Sequence, residues 1–558
     1  MALVSTLESL LPQDLSLLLF IISLVLIPWA THQFSTFSFY RTAQSSALGK
    51  RPPTIPYWVP GIFHGFSVIT QGPPAFFASL TKQYCDHAPF IAKIGPLSIL
   101  VVRDANHVKK VFQSVKQMTP KDLHVRVYGK VMGSPKAALD ILNAIGTGNK
   151  ESEQVEYAHL TVPRLFFSGT SLVPMADIYI ATLRRNMDNK MFQSKSWTEI
   201  EDLWSFFQIE IARATMETIF GSKLLKSYPK VVSDFWEFDK NIENFTRGLP
   251  RFMMPAAFNA RDRLQENLKN WLQAEHQGGN LAKVGSEGPD WDPNKGSKFF
   301  QTRDGIFANI PSLDYQARAA EAMALMQGST SNTMPSTFWY IFETLRKPHL
   351  YKYLTNETAP HYDSGTGKYD ISTLTAHPII QSMHAEVGRL RMATGTMRTN
   401  GVDNFKLDEN WTVPKGTSVM IFSHDLGLNT ELWANARPQT IDKPLDQFWP
   451  ERFIIPDKNT NTIPSKDEIR KGRFSMEGVG GLHVPFGGGQ HLCPGRYFAK
   501  AVQAGTLAVL LNEYEIQLSD PEDAETTIPP VREAAYGTVR PLNKVRIRIR
   551  KRGTPKNE

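Results

Sequence analysis

The stretch that most constrains this chain is Phe486-Gly487-Gly488-Gly489-Gln490-His491-Leu492-Cys493-Pro494-Gly495. Its glycine density opposes both helix and packed strand, because each glycine costs roughly 1 kcal/mol relative to alanine inside a helix. The backbone is therefore free to turn tightly or to lie against something flat. Near the end of the run sits Cys493, one of two cysteines in 558 residues. A lone cysteine is ordinarily a small core residue, and a glycine-rich run is ordinarily a loop. A thiolate presented by such a loop is also a good soft ligand for iron.

The rest of the chain must supply a large core. It has the material: 41% of residues are hydrophobic, with 11 Trp, 33 Phe and 16 Tyr. Two cysteines exclude a disulfide scaffold and suit a reducing compartment. A net charge of +8 is modest for this length and is not gathered into one basic tract, which argues against a nucleic-acid partner. Contact with anionic lipid or an acidic redox partner fits equally well.

From Leu15 to Tyr40 there is no Asp, Glu, Lys or Arg. Residues 15–34 reach the roughly 20 residues that a helix needs to span a bilayer. No Lys or Arg precedes the run, so it reads as a retained anchor rather than a cleaved signal. Arg41 and Lys50 follow it, which the positive-inside tendency places in the cytosol. Lys50-Arg51-Pro52-Pro53-Thr54-Ile55-Pro56-Tyr57-Trp58-Val59-Pro60-Gly61 then stiffens the chain toward an extended form.

Beyond it, Ala75 to Tyr84 reads as helix, Phe90 to Val102 as a hairpin turning at Gly95-Pro96, and residues 104–118 as helix. Cys85 reads as structural, with no His or Cys around it at metal-site spacing. Residues 185–240 are mostly helical in pattern, Gly248-Leu249-Pro250 interrupts them, and residues 277–298 read as a surface loop. Ala317 to Leu345 reads as one long helix with a polar island, Gln327-Gly328-Ser329-Thr330-Ser331-Asn332-Thr333, and with Pro335 to bend it. Glu386 and Arg389 are three apart on a helical pattern. Trp411 to Ile421 reads as strand, turn and strand, with Pro414-Lys415-Gly416 as the turn. Tyr497 to Tyr514 reads as a helix whose N-terminal dipole favours a negative sulfur beside it. Val545 to Arg550 alternates strictly and reads as an edge strand with its arginines outward.

In chain order these features resemble the cytochrome P450 family. Phe486, Gly489, Cys493 and Gly495 match its heme-binding signature, and His491 stands where the family usually has an arginine that pairs with a heme propionate. The resemblance implies a mainly α fold with a minor β subdomain, a heme b whose iron is bound by the Cys493 thiolate, and a Glu386–Arg389–Arg452 network supporting it. Counting back from Lys347-Pro348 places Ser331 at the family's acid position and Asn332 at its oxygen-activating threonine, both departures, with Thr333 and Thr330 nearby to organise water. This island resembles the branch holding sterol 7-alpha- and 12-alpha-hydroxylases and prostacyclin synthase. The division implied is residues 1–14 as lead, 15–34 as membrane anchor, 35–61 as linker and proline-rich hinge, and 62–558 as the heme-thiolate catalytic domain. The activity implied is oxidation of a hydrophobic small molecule such as a sterol, terpenoid or other secondary metabolite. Electrons would come from NADPH through a separate cytochrome P450 reductase, at the endoplasmic reticulum membrane with the catalytic domain facing the cytosol. A heme-thiolate isomerase or dehydratase and a non-catalytic heme-binding protein are the alternatives. Residues 248–255 resemble the substrate roof of the sterol-hydroxylase branch, and Met392 to Thr394 a substrate-contacting segment.

Overall fold

The long apolar segment near the N-terminus folds as a helix, Gln13–Gln44, with Pro28 inside it and Arg41 in its last turn. A computed structural model of the chain describes residues 13–84, 86, 88–188, 195–276, 289–456, 471–530 and 537–552. Cys85 and residues 277–288 of the expected surface loop lie outside them. Among the described residues no single helix is long and apolar enough to cross a membrane, although one bent pair, Lys150–Phe166 with Gly169–Met187, passes by length and composition.

The described chain divides into two units, Met1–Thr119 with Gly395–Phe422, and Pro120–Thr394 with Ser423–Glu558. The first holds a five-stranded sheet in the order Phe90–Ile94, Leu97–Val101, Ser418–Phe422, Gly395–Asn400, Met118–Thr119. The hairpin turning at Gly95-Pro96 is antiparallel, with Phe90 opposite Val101. Leu97–Val101 runs parallel to Ser418–Phe422. Phe76, Phe77, Phe90, Ile99 and Val101 pack as one apolar cluster against it. The proline-rich segment is stitched to this sheet rather than free, because Ile55 N–H donates to Ile91 O at 3.0 Å and Ile91 N–H to Pro53 O at 2.8 Å. The expected helix over 104–118 closes early, at Ala105–Gln113, and Met118–Thr119 is strand. Trp411 to Ile421 forms strand, turn and strand as read, and its two strands pair with different neighbours: Thr412–Val413 with Phe405–Lys406, and Ser418–Phe422 with Gly395–Asn400 and Leu97–Val101. The turn at Pro414-Lys415-Gly416 thus passes the chain from one sheet to another.

The second unit is helical, and one of its enclosed elements is Arg496–Glu513, buried at nearly every position from Phe498 through Leu511. Leu203–Phe220 is almost as enclosed and is capped by Asp202, whose carboxylate accepts from Trp204 N–H and Ser205 N–H. A second correction concerns the basic alternating segment. Ile547–Lys551 is the middle strand of three, between Tyr514–Leu518 and Thr198–Ile200. The alternation is real, with Ile547 and Ile549 buried. The arginines are not edge guards: Arg550 pairs with Glu515 at 2.5 Å, and Arg548 donates to Gln517. A third correction is to the long helix, which is two: Tyr315–Thr330 and Thr333–Leu345, parted at Ser331-Asn332. Pro335 lacks the N–H that would bond back to the Ser331 carbonyl, so the ladder fails one turn before the proline.

Candidate functional site

The cysteine loop belongs to the second unit and is built by two left-handed glycines, Gly487 at φ 71° and Gly489 at φ 67°. A side chain at either would be strained. They fold the chain back so that Cys493 N–H donates to Phe486 O at 3.0 Å, enclosing a single turn over Gly489–His491. Phe486 stacks on the His384 ring, 5.5 Å between centroids and 16° from coplanar. Burial pushes the Cys493 thiol up, while the backbone N–H groups of Gly495 and Arg496 and the Arg496 charge pull against it. Gly495 lies beside the sulfur, where a Cβ would stand in ordinary contact 3.8 Å from Sγ. The Arg496 guanidinium donates to Cys493 O at 2.9 Å, and His491, two residues before the thiol, is half-buried. Among the described residues no cluster of three or more His, Cys, Asp or Glu is arranged to hold a metal ion. A lone thiol with converging N–H groups and no companion ligands fits a prosthetic group that brings its other iron ligands with it.

Behind the loop, the Pro378–Arg391 helix carries Glu386 and Arg389 inward. Glu386 receives Arg389 Nε and Nη2, both at 2.8 Å, Arg452 Nε at 2.9 Å and the Trp449 N–H at 3.1 Å. All three charged side chains are fully enclosed. Burial opposes ionisation of Glu386, but the charges of Arg389 and Arg452 outweigh it and hold its carboxyl down at about 2. The remaining guanidinium hydrogens go to the carbonyls of Gly427, Lys443, Pro444, Gln447 and Thr440. A buried charge cluster with this many partners is stable as built and costly to break. Gly388 on the same helix lets the cysteine loop approach: a Cβ there would meet Pro485 Cγ at 3.1 Å.

The helix break holds the remaining candidates. Asn332 Oδ1 accepts from Thr538 N–H at 3.1 Å and from Thr538 Oγ1 at 3.0 Å. A backbone N–H only donates, so the amide's orientation is fixed by this contact. The carbonyl end of Asn332 is thereby committed to Gly537–Thr538, a strand paired with Met392–Ala393. Among the described residues no acceptor takes its Nδ2 hydrogens. Thr333 is buried, and its carbonyl accepts from Ser336 Oγ at 3.0 Å and Thr337 Oγ1 at 2.7 Å. Thr330 Oγ1 is buried with no hydrogen bond. Ser331 is half-buried at the break itself.

The matches to known proteins follow this geometry. The family model for cytochrome P450 matches residues 51–535. The chain belongs to the cytochrome P450 family. It is similar to the cytochrome P450 monooxygenase fsoE of Humicola fuscoatra, 28% identical over 90% of this chain and 88% of that one. The cytochrome P450 monooxygenase efuG of Hormonema carpetanum is also 28% identical, over 95% and 96%. Cytochrome P450 7A1 of Oryctolagus cuniculus is 22% identical over 89% and 93%. This P450 is accordingly a heme-thiolate monooxygenase, and the family draws its electrons from a redox partner.

Two further features of the P450 escaped the sequence reading, both in the first unit. Arg398 is buried, and burial alone pushes its guanidinium down to about 10. It donates to its neighbour Met397 O at 2.9 Å and lies over the Phe112 ring. Among the described residues it has no carboxylate within ion-pair reach, so its charge is buried against a carbonyl and an aromatic face alone. The signal that would have found it is a lone arginine within a short strand pattern, which is too common to act on. An open polar cleft of about 680 Å³, lined by Asp104, His107, Lys110 and Asp408, contains none of the residues singled out above.

Proposed function

We propose that this P450 oxidises a hydrophobic small molecule of the sterol, terpenoid or secondary-metabolite class, using O2 and electrons delivered from NADPH by a cytochrome P450 reductase. The observation that carries the reading is the Cys493 loop, in which the sulfur is aimed at by backbone donors and left without a protein co-ligand. Support for the substrate class comes from a relative named cholesterol 7-alpha-monooxygenase in Cricetulus griseus, 24% identical over 64% of this chain.

Cys493 would hold heme b through its thiolate, and Phe486, Gly489, His491 and Gly495 would border it. When bound, the heme supplies dioxygen activation, with the thiolate favouring O–O cleavage. Each cycle combines O2 and the substrate C–H with two electrons and two protons, giving the hydroxylated product and water. The chain's own work is to deliver the protons and to exclude bulk water. Ser331, Asn332 and Thr333 are assigned to that task. Asn332 keeps its Nδ2 hydrogens for a water while its carbonyl is held by Thr538, and the break frees the Ser331 carbonyl to fix a further water. Glu386, Arg389 and Arg452 are positioning residues that hold the loop.

The Gln13–Gln44 helix presents Phe20, Leu24, Val25, Leu26, Ile27, Trp29, Phe34 and Phe37 to its surroundings. Exposed apolar area on this scale favours a lipid environment, and residues 15–34 are assigned as the attachment to the endoplasmic reticulum membrane. Alkaline carbonate extraction should leave the full chain in the pellet. The decisive test is spectral: the dithionite-reduced protein under carbon monoxide should show the long-wavelength Soret band of a thiolate-ligated heme, and Cys493→Ser should abolish it. With a reductase and NADPH, oxygen uptake should accompany product formation. Turnover of a peroxide without reductase or oxygen, and no NADPH-driven uptake, would overturn the monooxygenase reading in favour of an isomerase.

A further inference from the structure

The long helix carries Ser331 where the family has an acid, which leaves its oxygen side without a carboxylate of its own. A carboxylate reaches the same place from another helix. Val231–Asp239 ends on Asp239, whose side chain is only 7% exposed. Its Oδ1 is buried with no hydrogen-bond partner among the described residues. Its neighbours are the Ser331 hydroxyl, at the helix break, and Arg540 Nη2, 3.8 Å away on a side chain 51% exposed to solvent. Burial pushes the Asp239 carboxyl up, and the serine and the arginine oppose this without cancelling it. Its place at the C-terminal end of a helix, where the dipole is negative, disfavours the ionised form further.

A second aspartate on the same helix shows what an ordinary structural role looks like. Asp234 is buried too, yet Arg263 and Tyr228 both bond it and its carboxyl is lowered despite the burial. Asp239 has no such pairing. The other charges on its own helix end are taken up locally, with Lys240 bonded to Glu237 at 2.5 Å. Arg540 is the one charged side chain among the described residues that faces it. A carboxyl with one oxygen unpaired, a hydroxyl on one side and a solvent-exposed cation on the other has an entrance and an exit.

We infer that Asp239 is the acid of the proton path, standing in from a second helix for the carboxylate that the long helix lacks, and that it passes protons to Ser331. The proton on the Asp239 carboxyl goes to Ser331 Oγ as the hydroxyl's own proton moves on toward the oxygen side of the break. The Asp239 carboxylate then takes a proton from water beside Arg540, so the residue ends each transfer as it began. This rests on the monooxygenase reading above and on the assignment of Ser331 to the oxygen side.

The test compares wild type, Asp239→Asn and Asp239→Glu as full-length ferric holoprotein. A carboxyl raised in the folded state stabilises it below its unfolded pKa and loses that contribution as pH rises through the folded value. At neutral pH the ionisable group is therefore a burden, and D239N should unfold at a Tm equal to or above wild type. Infrared titration of the ferric protein should show a protonated-carboxyl band that persists above the range of solvent carboxylates and is missing in D239N. With reductase and NADPH, and cholesterol as the probe, oxygen uptake in D239N should fall ~100-fold, the lower range for loss of a general acid. The share of reduced oxygen released as hydrogen peroxide should rise, and D239E should restore most of both. Unchanged uptake and peroxide share in D239N, whatever its Tm, would overturn the inference and leave Asp239 as a tie to Arg540, with the monooxygenase reading intact. Absence of reductase-driven uptake in wild type would instead remove both readings.

Discussion

Two polar clusters in the second unit bury charge in opposite ways. Around Glu386, two arginines and a backbone N–H meet one carboxylate, and the arginines' spare hydrogens reach five carbonyls. Around the Ser331-Asn332 break, Asn332 spends its carbonyl on Thr538 and keeps its N–H groups, Thr330 has a buried hydroxyl with no partner, and Asp239 has a buried oxygen with none. The first cluster is complete and resists change. The second is left incomplete, which is what a site that must hold water or pass a proton requires.

The sharpest way to break the contrast is at Glu386. Glu386→Gln leaves two enclosed guanidinium groups without their counter-charge and should cost ~3–5 kcal/mol, read as a lower urea midpoint and as loss of heme during gel filtration. The same carboxylate gives a pH dependence. Its folded value is held near 2, below the unfolded 4.5. Its contribution is therefore present above the unfolded value and is lost as pH falls from about 5 toward 2, with a size of about 3 kcal/mol. Acid unfolding curves of wild type and an Arg452→Leu variant should converge in that window.

A smaller effect is expected at the break. Asn332→Ala removes both bonds to Thr538 and should lower stability by ~1–2 kcal/mol. It should also alter the spectral response to substrate, whereas Asn332→Asp, which still accepts from Thr538, should keep most of the stability. Equal destabilisation by both would show that the amide hydrogens, not the carbonyl, tie the break. The smallest effect belongs to the surface. Arg548→Gln on the middle strand should cost ~0.5 kcal/mol or less, because the strand is held by its buried isoleucines and the arginine is exposed.

What the sequence made legible was local. The glycines on either side of Cys493 announce a loop that cannot be helix, and Glu386 and Arg389 announce themselves by sharing a helix face. Partners far along the chain left no such trace. Alternation in Val545–Arg550 tells which residues are buried, but not that strands lie on both sides, since that depends on Thr198–Ile200. The turn at Pro414-Lys415-Gly416 was visible, but a turn alone does not say that its two arms join different sheets. Pro335 announced a disturbance, while the position of the break followed from which carbonyl lost its donor. Asp239 was hidden most thoroughly: a single aspartate at a helix end, with its neighbours on two other segments.

The bond between Asn332 and Thr538 has a consequence for how the protein is made. The two residues are 206 positions apart. While the ribosome adds the intervening chain, the broken helix has its polar island but not the strand that completes it. At ~5–20 residues per second that interval lasts on the order of ten seconds or more. During it Asn332 and the Trp339 indole lack their Thr538 and Val539 partners, so chaperone occupancy should concentrate on nascent chains that have passed Leu345 and have not yet emitted Gly537.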